Sequence, residues 1–150
     1  MKTLFFICLI LFSFFLLDIS LPQDNNFQQN FNSSNKVSAQ TIIFNDIEFG
    51  INSNDVTKIS KYFAPQPYIS LISGVNGYYS SNQAYYILED FLNTYKVISL
   101  EMGESKIDEA TSYAKGEYYF EQKGKREMAH LYVTLSKSGS RWQITQISIN

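Results

Sequence analysis

Residues 80–95 of this chain read SSNQAYYILEDFLNTY. Six apolar side chains recur there at intervals of three and four residues, which is the spacing of one helix face: Ala84, Ile87, Leu88, Phe91, Leu92 and Tyr95. Ser80 followed by Gln83 has the pattern of a capping box, in which each side chain bonds the other residue's backbone N–H. The stretch therefore predicts an amphipathic helix over residues 81–95 that packs one face against a second layer of the fold.

The sequence after this helix has the two-residue alternation that is typical of β-strands. Apolar and polar residues alternate in three segments. The first contains Ile98, Leu100 and Met102, and the other two cover residues 112–123 and 129–135. Gly124 and Gly139 lie in short polar segments that indicate turns. The last third of the chain therefore predicts successive antiparallel strands.

The final predicted strand, residues 141–150, changes face partway along its length. Trp142 and Ile144 share one face, whereas Ile147 and Ile149 have the opposite parity. One extra residue near Thr145 would return all four side chains to one face and bend the strand. The pattern therefore predicts a β-bulge at this point.

The sequence before residue 80 predicts two helices and a short strand or hairpin. Ile43, Ile47 and Ile51 recur at helical spacing, and a second, short helix follows that we expect to end at residues 64–67, which contain two prolines. Residues 68–73 are rich in β-formers, and Asn76-Gly77 is a turn signal. Because helices and strands are segregated along the chain, we predict one α+β domain over residues 41–150, with the N-terminal helices packed on a curved antiparallel sheet.

The first forty residues differ in composition from the rest. Lys2 precedes a run from Leu4 to Leu17 that is apolar except for Ser13, which is typical of a secretory signal and short for a membrane span. We therefore expect residues 1–20 to be a signal peptide, or an uncleaved membrane anchor since no good cleavage site follows. Residues 21–40 are rich in Asn, Gln and Ser and predict a disordered polar linker. The protein is then exported, to the periplasm or outside the cell.

Composition excludes several functions. Twelve basic and fourteen acidic residues give a net charge of −2, which provides no excess of positive charge to attract nucleic acid. The only cysteine, Cys8, lies in the N-terminal apolar run, so the domain itself has neither a disulfide nor a thiolate. Phosphate-loop, nucleophile-elbow and dinucleotide-binding motifs are absent, so no cofactor is predicted.

Three groups of residues resemble a known family. Ser60-Lys61-Tyr62-Phe63 is similar to the end of the family's second helix, and Gly77-Tyr78-Tyr79-Ser80 is similar to its passage from strand to helix. Its closing hairpin resembles three segments of this chain: Ser138-Gly139, Trp142-Gln143-Ile144 and Gln146-Ile147-Ser148-Ile149.

Together these segments resemble the domain-of-unknown-function 4783 family of exported bacterial proteins, within the nuclear transport factor 2-like superfamily. The resemblance covers about residues 41–150. It implies a cone-shaped α+β fold but brings no established activity, so no catalytic residue is carried over.

The candidate site residues are few. His130 is the only histidine and lies on the mixed face of its strand, where it could serve a pocket as a general base. With one histidine, a metal site would need carboxylates, and Asp108-Glu109 fits no calcium-loop spacing, so no metal is predicted. The other carboxylates fall off the apolar faces of their predicted elements. No catalytic residue is therefore assigned.

Aromatic residues suggest a ligand pocket. Ala114, Gly116 and Tyr118 alternate on one strand face, where small residues beside a tyrosine could leave a concavity that Trp142 lines. Tyr118, His130 and Trp142 are thus the ligand-binding candidates, and the alternative is that the aromatic rings simply fill a core that has no disulfide.

Three functional hypotheses follow from these residues. The first is a non-enzymatic module that binds a small apolar ligand, a peptide, or a second copy of itself through the sheet face. The second is an isomerase or dehydratase that uses a pocket acid or His130. The third is a structural component of the cell envelope.

Overall fold

The computed structural model describes residues 37–150 of the chain. The predicted signal segment and residues 21–36 of the predicted linker lie outside the described residues. Three helices and six strands follow one another in the described part: α1 Ala39–Asn52, α2 Thr57–Ser60, β1 Phe63–Leu71, β2 Asn76–Tyr78, α3 Ser81–Thr94, β3 Lys96–Lys106, β4 Thr111–Gln122, β5 Lys125–Ser138 and β6 Arg141–Ile149. Among these residues, no helix combines the length and the apolar character needed to cross a membrane.

The six strands form one curved sheet in the order β2-β1-β6-β5-β4-β3. The helices pack on this sheet, as the α+β prediction requires. Four of the five strand pairs are antiparallel, but β1 runs parallel to β6. The predicted curved antiparallel sheet is thus confirmed for four of the five strand pairs, and the parallel pair of β1 with β6 makes the sheet mixed. Because β1 and β6 come from opposite ends of the domain, no local sequence pattern reports their pairing.

The predicted amphipathic helix is confirmed as α3. Ser80 and Gln83 form the capping box, with the Ser80 hydroxyl oxygen accepting a hydrogen bond from the Gln83 N–H. The helix buries the side chains of Ala84, Leu88, Phe91 and Leu92. These side chains join a core formed with α1, α2 and one face of the sheet.

The predicted bulge in the last strand is also confirmed. Thr134 pairs with Gln146 but Leu135 pairs with Ile144, so Thr145 is the extra residue. The Thr145 hydroxyl shares a hydrogen bond with the Ser136 hydroxyl at 3.2 Å. As a result, Ile144 and Ile147 both point into the core although three positions separate them.

The first helix begins earlier than the sequence pattern predicts. Ser38 caps α1 by accepting a hydrogen bond from the Thr41 N–H, so the last two residues of the predicted linker, Ala39 and Gln40, are helical. Gln40 is buried and its side-chain amide donates to the Asp108 carbonyl at 3.2 Å. The Ser38 cap and the Gln40 hydrogen bond together fix the start of the helix. The polar composition of residues 21–40 does not reveal this start.

The segment between α2 and α3 differs from the prediction in two places. β1 already begins at Phe63 and includes both prolines, where its register with β6 shifts between Phe63 and Tyr68. Proline is tolerated in such an irregular stretch, because the backbone N–H that it lacks is not needed there for a hydrogen bond between strands. The turn lies at residues 72–74, with Gly74 in the left-handed region, and Asn76-Gly77 forms part of β2.

Strand β3 contains a deviation that the alternation pattern missed. Val97 pairs with Phe120 and Ser99 pairs with Tyr119, so Ile98 is an extra residue in the strand. Ile98 is 47% exposed, whereas Leu100 is buried. The prediction that Ile98 shares a face with Leu100 and Met102 was therefore wrong, because the extra residue changes the phase of the strand.

Candidate functional site

The inner face of the sheet is filled at Tyr118. Its side chain is 0% exposed, its ring stacks on Phe120, and its hydroxyl donates a hydrogen bond to the carbonyl of Tyr95. Burial raises the pKa of the Tyr118 phenol, because the charged form would lose its hydration. Tyr118 is thus a packed core residue with its one polar atom satisfied.

The space beside Tyr118 is also occupied. A Cβ placed on Gly116 would lie 2.9 Å from the Glu101 carbonyl oxygen and 3.2 Å from both a Leu100 methyl carbon and the Met102 sulfur. The small residues of β4 therefore make room for side chains and backbone of β3. The concavity that the sequence predicted at Ala114, Gly116 and Tyr118 is filled from the neighbouring strand.

His130 lies on the opposite, solvent face of the sheet. It is exposed, and its cross-strand neighbours are Glu117 and the chain end at Asn150. It borders a shallow surface depression of about 310 Å³ whose other walls include Glu101 and Lys115. Glu101 lies directly opposite Glu117, and Lys115 bonds Glu104 at 3.1 Å. This outer face of the sheet therefore carries exposed charged side chains from neighbouring strands.

Trp142 occupies a third location, at the start of β6. Its half-buried ring borders a groove of about 490 Å³, which we call the Trp142 groove. The first turns of α1, the segment between α2 and β1, and the start of β6 form its walls. The residues that line it are Ala39, Ile42, Ile43, Lys61, Tyr62, Ser140, Arg141, Trp142 and Gln143.

A hydrogen-bonded group of three side chains stands at the edge of the Trp142 groove. The Asp46 carboxylate accepts from the Tyr62 hydroxyl at 2.6 Å and from the Lys61 ammonium at 2.8 Å. The hydrogen bond from Lys61, aided by that from Tyr62, lowers the pKa of Asp46, and the same carboxylate raises the pKa of Lys61. Burial, together with the bond to Asp46, raises the pKa of the Tyr62 phenol. The arrangement fixes Tyr62 and Lys61 in place.

A more open depression of about 700 Å³ lies on the other side of Trp142. Asp108 and Glu109 give it an acidic wall, and Gln40 and Lys137 also line it. The Trp142 ring therefore separates a groove that contains Lys61 and Arg141 from a depression with two carboxylates.

The structure does not bring the three predicted site residues together. Tyr118 is in the core, His130 is on the outer face, and Trp142 is at one end of the domain. The residues that accompany Trp142 were not among the candidates, although two of them, Lys61 and Tyr62, lie in the family-like motif Ser60-Lys61-Tyr62-Phe63. Within residues 37–150, no three histidine or acidic side chains lie close enough to hold a metal ion.

The chain belongs to a family described as a domain of unknown function (DUF4783), whose model matches residues 44–150. This confirms the resemblance read from the sequence. The sequence has no significant match among curated proteins.

Solved structures share the fold at low sequence identity. A DUF4783 family protein from Bacteroides uniformis is 12% identical, with a TM-score of 0.64 over 71% of this chain and 94% of that one. A protein described as "Rd1NTF2_04 with long sheet" is 17% identical, with a TM-score of 0.62 over 75% of this chain and 100% of that one. A putative scytalone dehydratase from Novosphingobium aromaticivorans is 11% identical, with a TM-score of 0.56 over 83% and 85%. These likenesses establish the cone-shaped α+β fold, and no activity follows from them.

Proposed function

We propose that this protein is an exported, non-catalytic binding module and that a small apolar ligand or a peptide occupies the Trp142 groove. The observation that carries the proposal is the contrast between two places in the fold. The cone interior around Tyr118 is packed with side chains, whereas the Trp142 groove is open and has two aromatic rings in its walls. Open, partly apolar grooves with a few fixed polar groups are typical ligand sites.

The lining of the Trp142 groove supports a binding role in particular. Ile42 is 49% exposed on a helix that otherwise buries its isoleucines, so an apolar surface faces the groove without being needed by the core. The Asp46 carboxylate holds Tyr62 rigidly, which reduces the entropy that a ligand must offset on binding.

Binding is tested with isotope-labelled full-length protein and a set of small acids, amines and neutral apolar compounds. We expect at least one compound to shift the NMR signals of Ile42, Tyr62 and the Trp142 indole in a saturable way and to be recovered unchanged after long incubation. Saturable shifts confined to the surroundings of His130, or no shifts at all, would contradict the proposed site. Conversion of the bound compound would contradict the non-catalytic role.

An enzyme of the isomerase or dehydratase kind is the second candidate, and the Asp46–Tyr62 hydrogen bond favours it. Because the Tyr62 hydroxyl donates to Asp46, the carboxylate could accept the phenol proton while the phenol oxygen takes a proton from a substrate in the groove, which is the role of a general base. His130, the other acid–base candidate, lies on the outer face, away from the Trp142 groove. Replacement of Asp46 by Asn would abolish such an activity, whereas in a binding module it would weaken ligand binding only to the extent that Tyr62 loses its fixed position.

Self-association through the sheet face is supported by aromatic side chains on that face. The rings of Tyr113 and Tyr132 stack at 5.7 Å between centroids, and Met128, four residues before Tyr132 on the same face of β5, is 47% exposed. Sedimentation of the full-length protein, compared with a Tyr132→Glu variant, tests this contact. A monomer at all concentrations would overturn it, and the envelope-component hypothesis would then need a different partner.

Cell fractionation tests the proposed export.

A further inference from the structure

The apolar part of the Trp142 groove is continuous. Ile42 and Ile43 come from α1, and the rings of Tyr62 and Trp142 come from two other elements. A volume of about 490 Å³ lies within the range of pockets that hold small molecules. The walls therefore suit the hydrocarbon body of a small ligand rather than a large polar one.

The charges of the same groove do not cancel. Lys61 is paired with Asp46 at 2.8 Å, so these two charges neutralise each other. Arg141 also lines the groove, and within residues 37–150 it forms no ion pair. The first turn of α1 carries no acidic side chain, so the positive end of its helix dipole adds to the charge of Arg141. One net positive charge is thus left beside an apolar wall.

We infer that the Trp142 groove binds a small amphiphilic carboxylate, with its apolar body against Ile42 and Trp142 and its carboxylate on the Arg141 guanidinium. Arginine matches a carboxylate with two parallel N–H donors, a geometry that an amide or an amine does not reproduce. This ligand class rests on the proposed binding function and specifies it.

The test uses Trp142 itself, because it is the only tryptophan of the whole chain. Its emission in the full-length protein is followed during titration with 4-phenylbutyrate and, separately, with the uncharged 4-phenylbutyramide. We expect saturable binding of the acid that is at least about fivefold tighter than that of the amide, as for a partly solvent-screened charge pair.

Three variants assign that preference to one side chain. R141Q should bind acid and amide equally, R141K should keep part of the preference, and the control K137Q should keep all of it. Lys137 is an exposed cation on the opposite strand of the same hairpin, directly paired with Trp142. Loss of the preference in K137Q but not in R141Q would overturn the assignment.

The outcomes separate this inference from the proposed function. Equal binding of acid and amide to the unmodified protein would overturn the carboxylate class and leave a binding module. Failure of both probes, together with no ligand in the NMR screen, would overturn the binding function. A peptide with a C-terminal phenylalanine that binds more than tenfold tighter than 4-phenylbutyrate would overturn the small-molecule class in favour of a chain end.

Discussion

The side chain of Asn52 bonds both backbone polar groups of Leu100. The Leu100 N–H donates to the Asn52 carbonyl oxygen at 2.7 Å, and the Asn52 amide donates to the Leu100 carbonyl at 2.9 Å. One turn earlier on α1, Glu48 accepts from the Met102 N–H at 2.9 Å. Because β3 is the last strand of the sheet, these side chains of α1 occupy the place of a neighbouring strand. They thereby protect an edge that could otherwise pair with another chain.

Replacement of Asn52 by Ala should lower the free energy of unfolding by about 1–2 kcal/mol, since two backbone groups lose their partner at a partly solvated position. It should also increase aggregation through the uncovered edge of β3. Urea denaturation and light scattering measure the two effects. Asn45→Ala, which alters an exposed asparagine of the same helix, should change stability by less than about 0.5 kcal/mol. Equal effects of the two substitutions would show that the Asn52 bonds contribute nothing specific.

Gly116 and Gly103 provide a second matched pair. Gly116→Ala should destabilise the fold by about 1–3 kcal/mol, because the new methyl group would lie 2.9 Å from the backbone oxygen of Glu101. Gly103→Ala meets only the Lys115 carbonyl, at 3.8 Å, and should be close to neutral. Thermal unfolding of both variants decides between them. A neutral Gly116→Ala would mean that space does remain beside Tyr118, and it would reopen the cone interior as a ligand site.

Local periodicity was sufficient to predict those elements whose side chains alternate regularly. Two such predictions were confirmed: the amphipathic helix α3 with its capping box, and the β-bulge at Thr145. Each depends on residues that lie close together in the sequence. The extra residue Ile98 in β3 was missed because its apolar side chain continues the expected alternation even though the strand changes phase there. The parallel pairing of β1 with β6 was missed because it joins distant segments.

The Trp142 groove could be predicted only in part. Trp142 was a candidate, but its neighbours Ile42 and Tyr62 come from segments about 80 to 100 residues away that only the folded chain brings together. The alternation in the sequence already distinguishes Tyr118 from His130, since Tyr118 continues the face of Ala114 and Gly116 whereas His130 lies between the apolar residues Ala129 and Leu131. The strand register, in which Tyr118 pairs with Ala129 and His130 pairs with Glu117, then places the two side chains on opposite faces.

The buried phenol of Tyr118 should make stability depend on pH in the alkaline range. Its pKa is raised in the folded protein above the ordinary value of 10.0, so the unfolded chain loses the proton first, and stability is full below pH 10 and decreases above it. Tyr118→Phe should cost about 1 kcal/mol at pH 8, because the Tyr95 carbonyl loses its donor. This difference should diminish between pH 9 and pH 11, since the unmodified protein loses stability in that range and phenylalanine does not titrate.

The control for Tyr118 is Tyr86→Phe, which changes an exposed tyrosine of α3 and should have no effect at either pH. Denaturant unfolding at several pH values measures both variants against the unmodified protein. A constant difference between Tyr118→Phe and the unmodified protein from pH 8 to pH 11 would contradict the burial of the phenol.

The Asp46 group should give the opposite pH dependence. Hydrogen bonds from Lys61 and Tyr62 hold the pKa of Asp46 below its ordinary 3.8, so its stabilising effect is present above that value and is lost as the pH falls through the folded-state pKa. Asp46→Asn should therefore reduce stability at pH 6, by less than about 1 kcal/mol because the pair is partly exposed, and this reduction should diminish as the pH falls below 3.8. Asp90→Asn on α3, whose side chain is exposed, serves as the control. Removal of the negative charge of Asp46 should by electrostatics alone favour the binding of an anion such as 4-phenylbutyrate. A more than twofold weaker binding of 4-phenylbutyrate to Asp46→Asn at pH 6 would therefore show that the carboxylate acts by holding Tyr62 and Lys61 in position.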